Sequence, residues 1–487
     1  MTENEGRALS IITRRGIYLK AFGIYGETAG FYDYGPIGLR IKRNIEAAWR
    51  RIFVDMLGSL EIEATNIVPS AVLEASGHVA TFTDPIVKCS KCGTAYRADK
   101  LLEEYYQEIG DAKSSDEVKK LSLEQIDARI KELKIRCEKC GGAFKDAEYF
   151  NLLFKTMIGP LGTETGYLRP ETAQGIFLEF SDIYRLYGLK LPCSIAQAGK
   201  AFRNEISPRQ QLIRMREFSQ METELFFDPS ADQHSINGFE ISDDLLKKEI
   251  NFADGERTSE VQLSKLLAEG AIPNRFFALV LYLEQEMMLE LGFKKDLLRF
   301  RKLNKEELPH YSRGNVDLEV STSYGYIEVA GNAYRGDYDL SAHSKKSGKS
   351  LAVASESGKV MPHVVESSIG LDRLLFALLD NSVEDDKRGW EWLRLNKSVA
   401  PYEYAVFPLQ NDEKLIAKAK DVFASLQKRS KCYYSATGSI GKRYAKADEI
   451  GVLKCITIDY TTLEDNTVTI RDRDTKEQIR KKVSEIA

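Results

Sequence analysis

The sequence predicts an α+β protein of more than one domain. Three observations carry that expectation: a long amphipathic helix near the N-terminus, strand-like material interrupted by two charged helical stretches, and alternating strand and helix beyond Val399. Length agrees, because 487 residues with 43% hydrophobic side chains can build roughly two to four cores. The longest apolar run, Phe276 to Leu283, is far below the roughly 18 residues that a membrane span requires. The N-terminus carries Glu3, Glu5, Arg7, Arg14 and Arg15 and no secretory core, so the expected compartment is the cytoplasm.

Ile37, Ile41, Ile45, Ala48, Trp49, Ile52, Phe53 and Met56 recur at helical spacing, which predicts a helix over 37–57 that starts at Gly35-Pro36. Leu101 to Ile135 is rich in Glu, Lys, Leu and Ile and reads as two helices broken near Gly110 and Ser114-Ser115, an excursion from the main domain. A second charged helical stretch is expected over 228–304. From Val399, Tyr404–Leu409, Glu413–Ser430, Cys432–Ser435 and Lys454–Tyr460 alternate as strand, helix, strand and strand, a separate α/β domain.

Charge excludes one function class. The 69 Lys and Arg against 73 Asp and Glu leave a net charge of −4, which argues against coating nucleic acid indiscriminately. From Asn396 onward there are 17 basic and 13 acidic residues, net +4, leaving −8 for the rest. A solvated surface explains that asymmetry about as well as a polyanion-binding domain does.

Seven cysteines are too few for a disulfide framework. Cys89-Ser-Lys-Cys92 and Cys137-Glu-Lys-Cys140 each put two thiols on a tight turn, and Gly93, Gly141 and Gly142 let the turns close around an ion. That is a Cys₄ zinc pattern with no open ligand position, so the expected metal is structural; free or redox thiols are the alternative. Cys193, Cys432 and Cys455 read as core residues.

No established phosphate loop is present. Ser347-Gly348-Lys349-Ser350 imitates the end of one, but its first glycine would fall on His343. Cys193 to Phe227 reads instead as strand, loop, strand. Arg203 and Glu205 are expected on one face of the first strand, and Arg214, Arg216, Phe218 and Glu222 on one face of the second. Guanidiniums suit phosphate, an aromatic plane suits a base and carboxylates suit amines. Taken alone, the segment reads equally as a surface hairpin with salt bridges.

The segment Phe202-Arg203-Asn204-Glu205, followed by Arg214-x-x-x-Phe218 and Glu222, resembles motif 2 of the class II aminoacyl-tRNA synthetases. Pro362 to Arg373 resembles motif 3, and Tyr34-Gly35-Pro36 with the long helix resembles motif 1. Asn151 to Lys155, Ile158-Gly159-Pro160 and Tyr167 to Gly175 are similar to the homodimeric, archaeal/eukaryotic-like glycyl-tRNA synthetases. So are Gly438 to Gly441, Asp448 to Gly451 and Thr467 to Asp474. Ser367 departs from a common proline, and Gly451-Val452-Leu453-Lys454 from a more usual Gly-Thr-Pro.

The resemblance implies an antiparallel catalytic sheet flanked by helices over 1–395, with a zinc-bearing insertion at 88–146 and a helical one at 228–304. An anticodon-binding domain would follow at 396–487. It implies ATP-dependent ligation of glycine to tRNA(Gly) through a glycyl-adenylate, with ATP, Mg²⁺ and structural Zn²⁺, in a homodimer. Catalysis would fall to Arg203, Glu366 and Arg373. ATP would be held by these and by Asn204, Glu205, Arg214 and Phe218. Glycine would be held by Glu171, Arg203, Glu222, Arg335 and Ser368, with Glu328 either in the pocket, on a metal or in a structural ion pair. Cys89, Cys92, Cys137 and Cys140 would hold zinc, and Lys442, Arg443 and Arg471 would meet tRNA. His78, His234, His310 and His343 fall outside the matched residues, and His363 precedes the motif 3 strand and reads as packed structure, so no histidine base toward the tRNA hydroxyl is expected. Rivals are a synthetase for another amino acid and a non-enzymatic paralogue that keeps the scaffold.

Overall fold

A computed structural model of the chain describes residues 3–208, 211–255, 257–309, 311–356, 358–385 and 389–486. His310 lies outside the described residues. The expected N-terminal helix is α1 (Pro36–Trp49), with Pro36 in its first turn, where a missing N–H costs nothing. Beyond Trp49 the chain keeps winding as a wider π-helical turn, Arg50–Met56, and Ile52 and Phe53 stay buried beside Trp49.

Nine strands form the central sheet. They are β1 (Leu60–Glu61), β2 (Cys193–Phe202), β3 (Glu217–Phe227), β4 (Glu249–Asp254), β5 (Arg257–Gln262), β6 (Leu298–Lys302), β7 (Asn315–Thr322), β8 (Gly325–Gly336) and β9 (His363–Gly370). Their order is β5-β4-β6-β7-β8-β9-β3-β2-β1. All neighbours are antiparallel except β2 with β1 and β4 with β6.

Side chains alternate across a strand, so the sheet has two unlike faces. One carries Met221, Leu225, Phe227, Ala330, Val365 and Ile369 into the largest core. There α3 (Arg275–Leu291) and α5 (Leu371–Ser382) cover it. The other face is polar and holds the site described below. Two more helices, α2 (Ala173–Leu186) and α4 (Tyr338–Ser347), close that side around a smaller core of Phe177, Phe180, Phe226 and Leu340.

The stretch 228–304 differs from expectation. It is not a helical insertion: β4, β5 and β6 extend the central sheet, and α3 is the buried helix behind it. The reason is compositional. Phe276, Phe277, Leu279, Val280, Leu281 and Leu283 are all fully buried, and a helix apolar all round belongs inside a core, not on an excursion.

Between the cysteine pairs, helices Ala98–Glu108, Ala112–Glu117 and Leu123–Glu132 pack a core of their own with Val87, Tyr96 and Leu102. The first break falls at Gly110, in the left-handed region, as expected. Ser114 and Ser115 lie within a short helix, and the second break comes at Leu121-Ser122, where Ser122 caps the next helix. The C-terminal sheet is mixed. It comprises β10 (Tyr404–Pro408), β11 (Cys432–Tyr434), β12 (Lys454–Ile458), β13 (Thr467–Asp472) and β14 (Gln478–Lys482), in the order β11-β10-β12-β13-β14. Asn44 of α1 donates to the carbonyls of Val399 and Ala400 and ties this unit to the sheet.

On α3, Glu284 is fully buried; it accepts from Ser367 Oγ at 2.7 Å and from Asn332 Nδ2 at 2.9 Å. Burial pushes its carboxyl up to about 7, against the pull of those two hydrogen bonds. A raised acid stabilises the fold fully below its ordinary value of 4.5, and that contribution is lost as pH rises through 7. Glu284→Gln removes the titration while keeping an acceptor for Asn332 and a donor that Ser367 can accept. Its melting temperature is therefore expected to gain on the wild type between about pH 5 and pH 8. Parallel pH profiles for the two proteins would contradict this.

Candidate functional site

The polar face of the sheet opens into a cavity of about 260 Å³. Its floor follows the two-residue period of the strands: Phe218, Gln220 and Glu222 from β3, Glu366, Ser368 and Gly370 from β9, and Val329, Gly331 and Ala333 from β8. Asn315 and Asp317 of β7 continue it. Register sets the chemistry, because Glu222 stands opposite Ser368 and Glu224 opposite Glu366. Gly331 and Ala333, the partners of Ser368 and Glu366 on β8, keep the middle of the floor low.

Glu222 is buried with both oxygens engaged: Oε1 accepts from Ser368 Oγ at 2.7 Å, and Oε2 accepts from Thr172 Oγ1. Burial and the nearby charge of Glu171 push its carboxyl up, against those hydrogen bonds. Glu171 goes the other way. Burial would raise it, but the charges of His78 and Arg335 and the hydrogen bonds from His78 and Gln174 hold it well below the usual carboxylate range. Two carboxylates with opposite shifts thus flank one end of the cavity. That is a seat for an ammonium group, whose charge would draw the proton from the raised partner.

At the other end, the Arg203 guanidinium lies between two rings, 5.4 Å from the Phe82 centroid and 5.3 Å from that of Phe218, and Nε donates to Pro170 O. Arg373 pairs with Glu328 at 3.2 Å and also donates to Ile213 O. Of the readings open for Glu328, the geometry therefore supplies the ion pair. Arg214 lies 3.7 Å from Glu205. Three guanidiniums thus line the cavity, an anion-binding arrangement.

Of the site residues expected from sequence, Glu171, Arg203, Glu205, Arg214, Phe218, Glu222, Glu328, Glu366, Ser368 and Arg373 line this cavity together. Two do not. Asn204 uses its N–H on Leu152 O, outside the lining. Arg335 is buried beneath the floor, where it holds Asp339 and Glu366 at 2.7 Å each and Glu171 at 3.6 Å. Its donors are committed to carboxylates, so it orders the floor from below. Arg203, Asn204 and Glu205 also lie past the end of β2, and Arg214 and Arg216 before β3, so the expected strand faces hold only from Glu217 onward. Arg216 donates to Glu205 O and Ala29 O and serves the loop. His363 packs on Tyr334 and Phe227 with Nδ1 2.5 Å from Tyr334 Oη.

Sequence reading missed His78, Tyr311, Asp317 and Asp372. Asp372 accepts from Lys42 Nζ of α1 at 2.6 Å and from the Ser219 N–H. It is adjacent to Arg373, a position that the sequence displays. The others arrive through long-range pairing that no local pattern announces.

The four Sγ atoms of Cys89, Cys92, Cys137 and Cys140 lie within 4.8 Å of one another. A Cβ on Gly142 would come within 2.8 Å of Cys89 Sγ, so only glycine closes this cradle. A tetrahedral ion with bonds of about 2.3 Å fits four sulfurs at such spacing.

In the C-terminal unit, Lys442 is exposed, but Arg443 and Arg471 are buried and not available to RNA. Helix Ile440–Glu449 turns residues 443 and 447 inward together, one turn apart. Arg443 donates to Pro408 O and Leu409 O, and Arg471 grips Asp448 with two bonds of 2.8 and 2.9 Å.

Residues 161–382 match the tRNA synthetase class II core domain (G, H, P, S and T), and residues 403–487 match the anticodon binding domain. The Giardia lamblia prolyl-tRNA synthetase in complex with prolyl-adenylate shares the fold, with a TM-score of 0.60 at 14% identity over 99% of this chain and 74% of that one. Fold and site together define a class II aminoacyl-tRNA synthetase. Across its whole length the chain is similar to glycine–tRNA ligases: 38% identical to that of Pyrococcus furiosus, over 98% of this chain and 96% of that protein. The protein of Methanocaldococcus jannaschii is 35% identical over 99% and 97%. The chain belongs to the glycine–tRNA ligase family.

The burial of Arg471 gives a test. Arg471→Ala removes both of its bonds to the buried Asp448 carboxylate and is expected to destabilise the C-terminal unit by about 3 kcal/mol in denaturant unfolding. Lys442→Ala is expected to stay within about 0.5 kcal/mol of the wild type.

Proposed function

We propose that this protein ligates glycine to tRNA(Gly) in two steps at the cavity of the central sheet. The observation that carries the reading is the buried pair Glu171 and Glu222 facing Arg203 across one small cavity: two acids for an ammonium, one guanidinium for a carboxylate. In the first step a carboxylate oxygen of glycine attacks the α-phosphorus of ATP, the α–β P–O bond breaks, and pyrophosphate leaves. Such a displacement needs positioning and charge neutralisation more than a protein base. In the second step a hydroxyl of the terminal tRNA ribose attacks the carbonyl carbon, and AMP leaves.

Arg203 bridges the α-phosphate and the glycine carboxylate, which its planar fork can do and an ammonium cannot. Phe218 stacks on adenine and Glu205 accepts from its amino group; Asn204 braces that loop through its backbone. Arg214 and Arg373 serve the γ-phosphate. Glu366 has one oxygen on Arg335 and is the residue that would hold the Mg²⁺ accompanying ATP, whose charge would offset that of the phosphates. Glu171 and Glu222 take the ammonium, with Ser368 fixing Glu222. Glu328 acts through its pair with Arg373, and Arg335 through the acids above it. No histidine acts as base toward the tRNA hydroxyl; His363 is spent on Tyr334.

The C-terminal unit, 396–487, receives the anticodon loop, with Lys442 and Lys446 on the exposed side of their helix and Tyr433 5.8 Å from Lys446 Nζ. The insertion 88–146 holds Zn²⁺ on its four cysteines, which supplies folding energy and no catalysis. Helix α1 pairs two copies into a homodimer, and the setting is the cytoplasm, where the tRNA is used. Among the described residues no helix is long and apolar enough to cross a membrane.

Glycine-dependent exchange of pyrophosphate into ATP tests the first step. Across the twenty amino acids glycine should stand alone, and Arg203→Ala should lower the rate by about a thousandfold with tRNA affinity kept. Exchange driven by another amino acid would sink the assignment. The insertion has its own test: elemental analysis should give one zinc per chain, and Cys92→Ser should lose it and melt the 88–146 core at lower temperature. A chain that is fully folded with no bound metal would refute the zinc site.

A further inference from the structure

The segment Ser76–Phe82 contains no residue assigned to the pocket, yet it touches both ends of it. It opens at Gly77, whose φ of 86° only glycine adopts freely, and then forms the short helix His78–Thr81. That reversal turns the His78 ring inward until it is almost completely buried. Ser76 Oγ lies 2.8 Å from His78 Nδ1, and His78 Nε2 lies 3.5 Å from Glu171 Oε2. The Phe82 ring meets the imidazole edge-on at 5.6 Å and carries the Arg203 guanidinium on its face.

We infer that His78 is a positioning residue for glycine selection, holding Glu171 oriented for the substrate ammonium while its own turn braces Arg203 through Phe82. The inference rests on the reading of Glu171 as an ammonium acceptor. Glu171 Oε1 accepts from Gln174 Nε2 at 2.9 Å, and Gln174 is fixed in turn by Asp339 and His343. Oε2 has only His78 within reach of a donor among the described partners. Ser76 Oγ is nearer to Nδ1, at 2.8 Å, than to Leu73 O, at 3.4 Å; a hydroxyl that donates to Nδ1 leaves the ring proton on Nε2, the nitrogen 3.5 Å from Oε2. Protonation of the ring keeps that donor in place.

The carboxylate therefore has one orientation, with its remaining lone pairs directed into the cavity that it shares with Glu222. Lose the Nε2–H and both remaining contacts, Gln174 Nε2 at 2.9 Å and Arg335 Nη2 at 3.6 Å, lie on Oε1, so Oε2 is held by no donor among the described partners. The turn is itself held from outside. Asn151 Nδ2 donates to Val79 O, Leu152 N–H donates to Phe82 O, and Asn204 N–H donates to Leu152 O, which joins the turn to the loop that carries Arg203.

The test is pyrophosphate exchange by the full-length enzyme, titrated separately with glycine and with ATP. His78→Ala is expected to raise KM for glycine about tenfold, the worth of one hydrogen bond to a charged group, with KM for ATP within about twofold. His78→Gln, whose amide can donate from a similar place, should recover most of the loss; a merely structural role would show no such rescue. Ser76→Ala, which removes the Nδ1 partner together with a longer bond to Leu73 O, should raise KM for glycine about threefold and reads the same contact should His78→Ala not fold. Unchanged KM for glycine in His78→Ala, or in Ser76→Ala should His78→Ala not fold, or equal rises for both substrates, would overturn the proposal. Wild-type enzyme without any glycine-dependent exchange would instead remove the reading of the pocket itself, and this proposal with it.

Discussion

The Arg335 guanidinium lies beneath the floor of the cavity and is bonded to Asp339 and Glu366, with Glu171 beside it. Those acids, with Glu222 and Glu224, are buried on neighbouring elements and would repel one another without it. Rings of Tyr311 and Phe177 lie over the guanidinium at 3.9 and 5.0 Å, so the cation is shielded from water as well as surrounded by charge. One cation cannot neutralise so many carboxylates. Burial, only partly countered by Arg335, raises Glu366 to about 8 and Glu224 well above its ordinary value. A floor built this way gains most from positively charged ligands, and it is fixed in place by bonds made on its underside.

The second constraint is the link between α1 and the floor. Lys42 reaches from α1 to Asp372 and to Ser219 Oγ, and Asp372 accepts the Ser219 N–H. Ser219 follows Phe218, and Asp372 precedes Arg373. A single buried ion pair therefore fixes the ring at one edge of the cavity relative to the guanidinium at another. Breaking a buried pair of this kind typically costs about 3–5 kcal/mol, because the partner is left charged and unpaired. Whatever packs against α1 acts on the cavity through this contact.

Features set by local spacing could be read in the sequence. The helix over 37–57, the four cysteines with Gly142, and the run from Arg203 to Glu222 needed only neighbouring residues and a known family. The stretch 228–304 reads as a charged helical insertion from its composition, yet its all-round apolar run Phe276 to Leu283 marks a core helix, and the strands on either side of that helix join the central sheet. Arg443 and Arg471 looked available for RNA because composition does not tell which side of a helix or strand a residue occupies. Asp448 and the carbonyls of Pro408 and Leu409 decide that, and they are distant in sequence. Asp317, Tyr311 and His78 enter the site or its support through sheet order and the Gly77 turn, which are properties of the assembled fold.

On the proposed reading of the pocket, selectivity for the smallest amino acid would follow from the same geometry. A substrate without a side chain offers only its two charged ends for recognition, so both must be met by groups that cannot move. Glu222 is held by two hydroxyls, Glu171 by Gln174 and His78, and Arg203 by Pro170 O and two rings. On the proposed binding mode the α-carbon would lie by the low stretch of floor at Gly331, which lines the same cavity as both acids and Arg203. A methyl group added there displaces one end or the other, and each displaced end leaves a buried charge without its partner. The cost of a wrong substrate is thus electrostatic as well as steric, and it falls on residues whose orientation is set from outside the cavity.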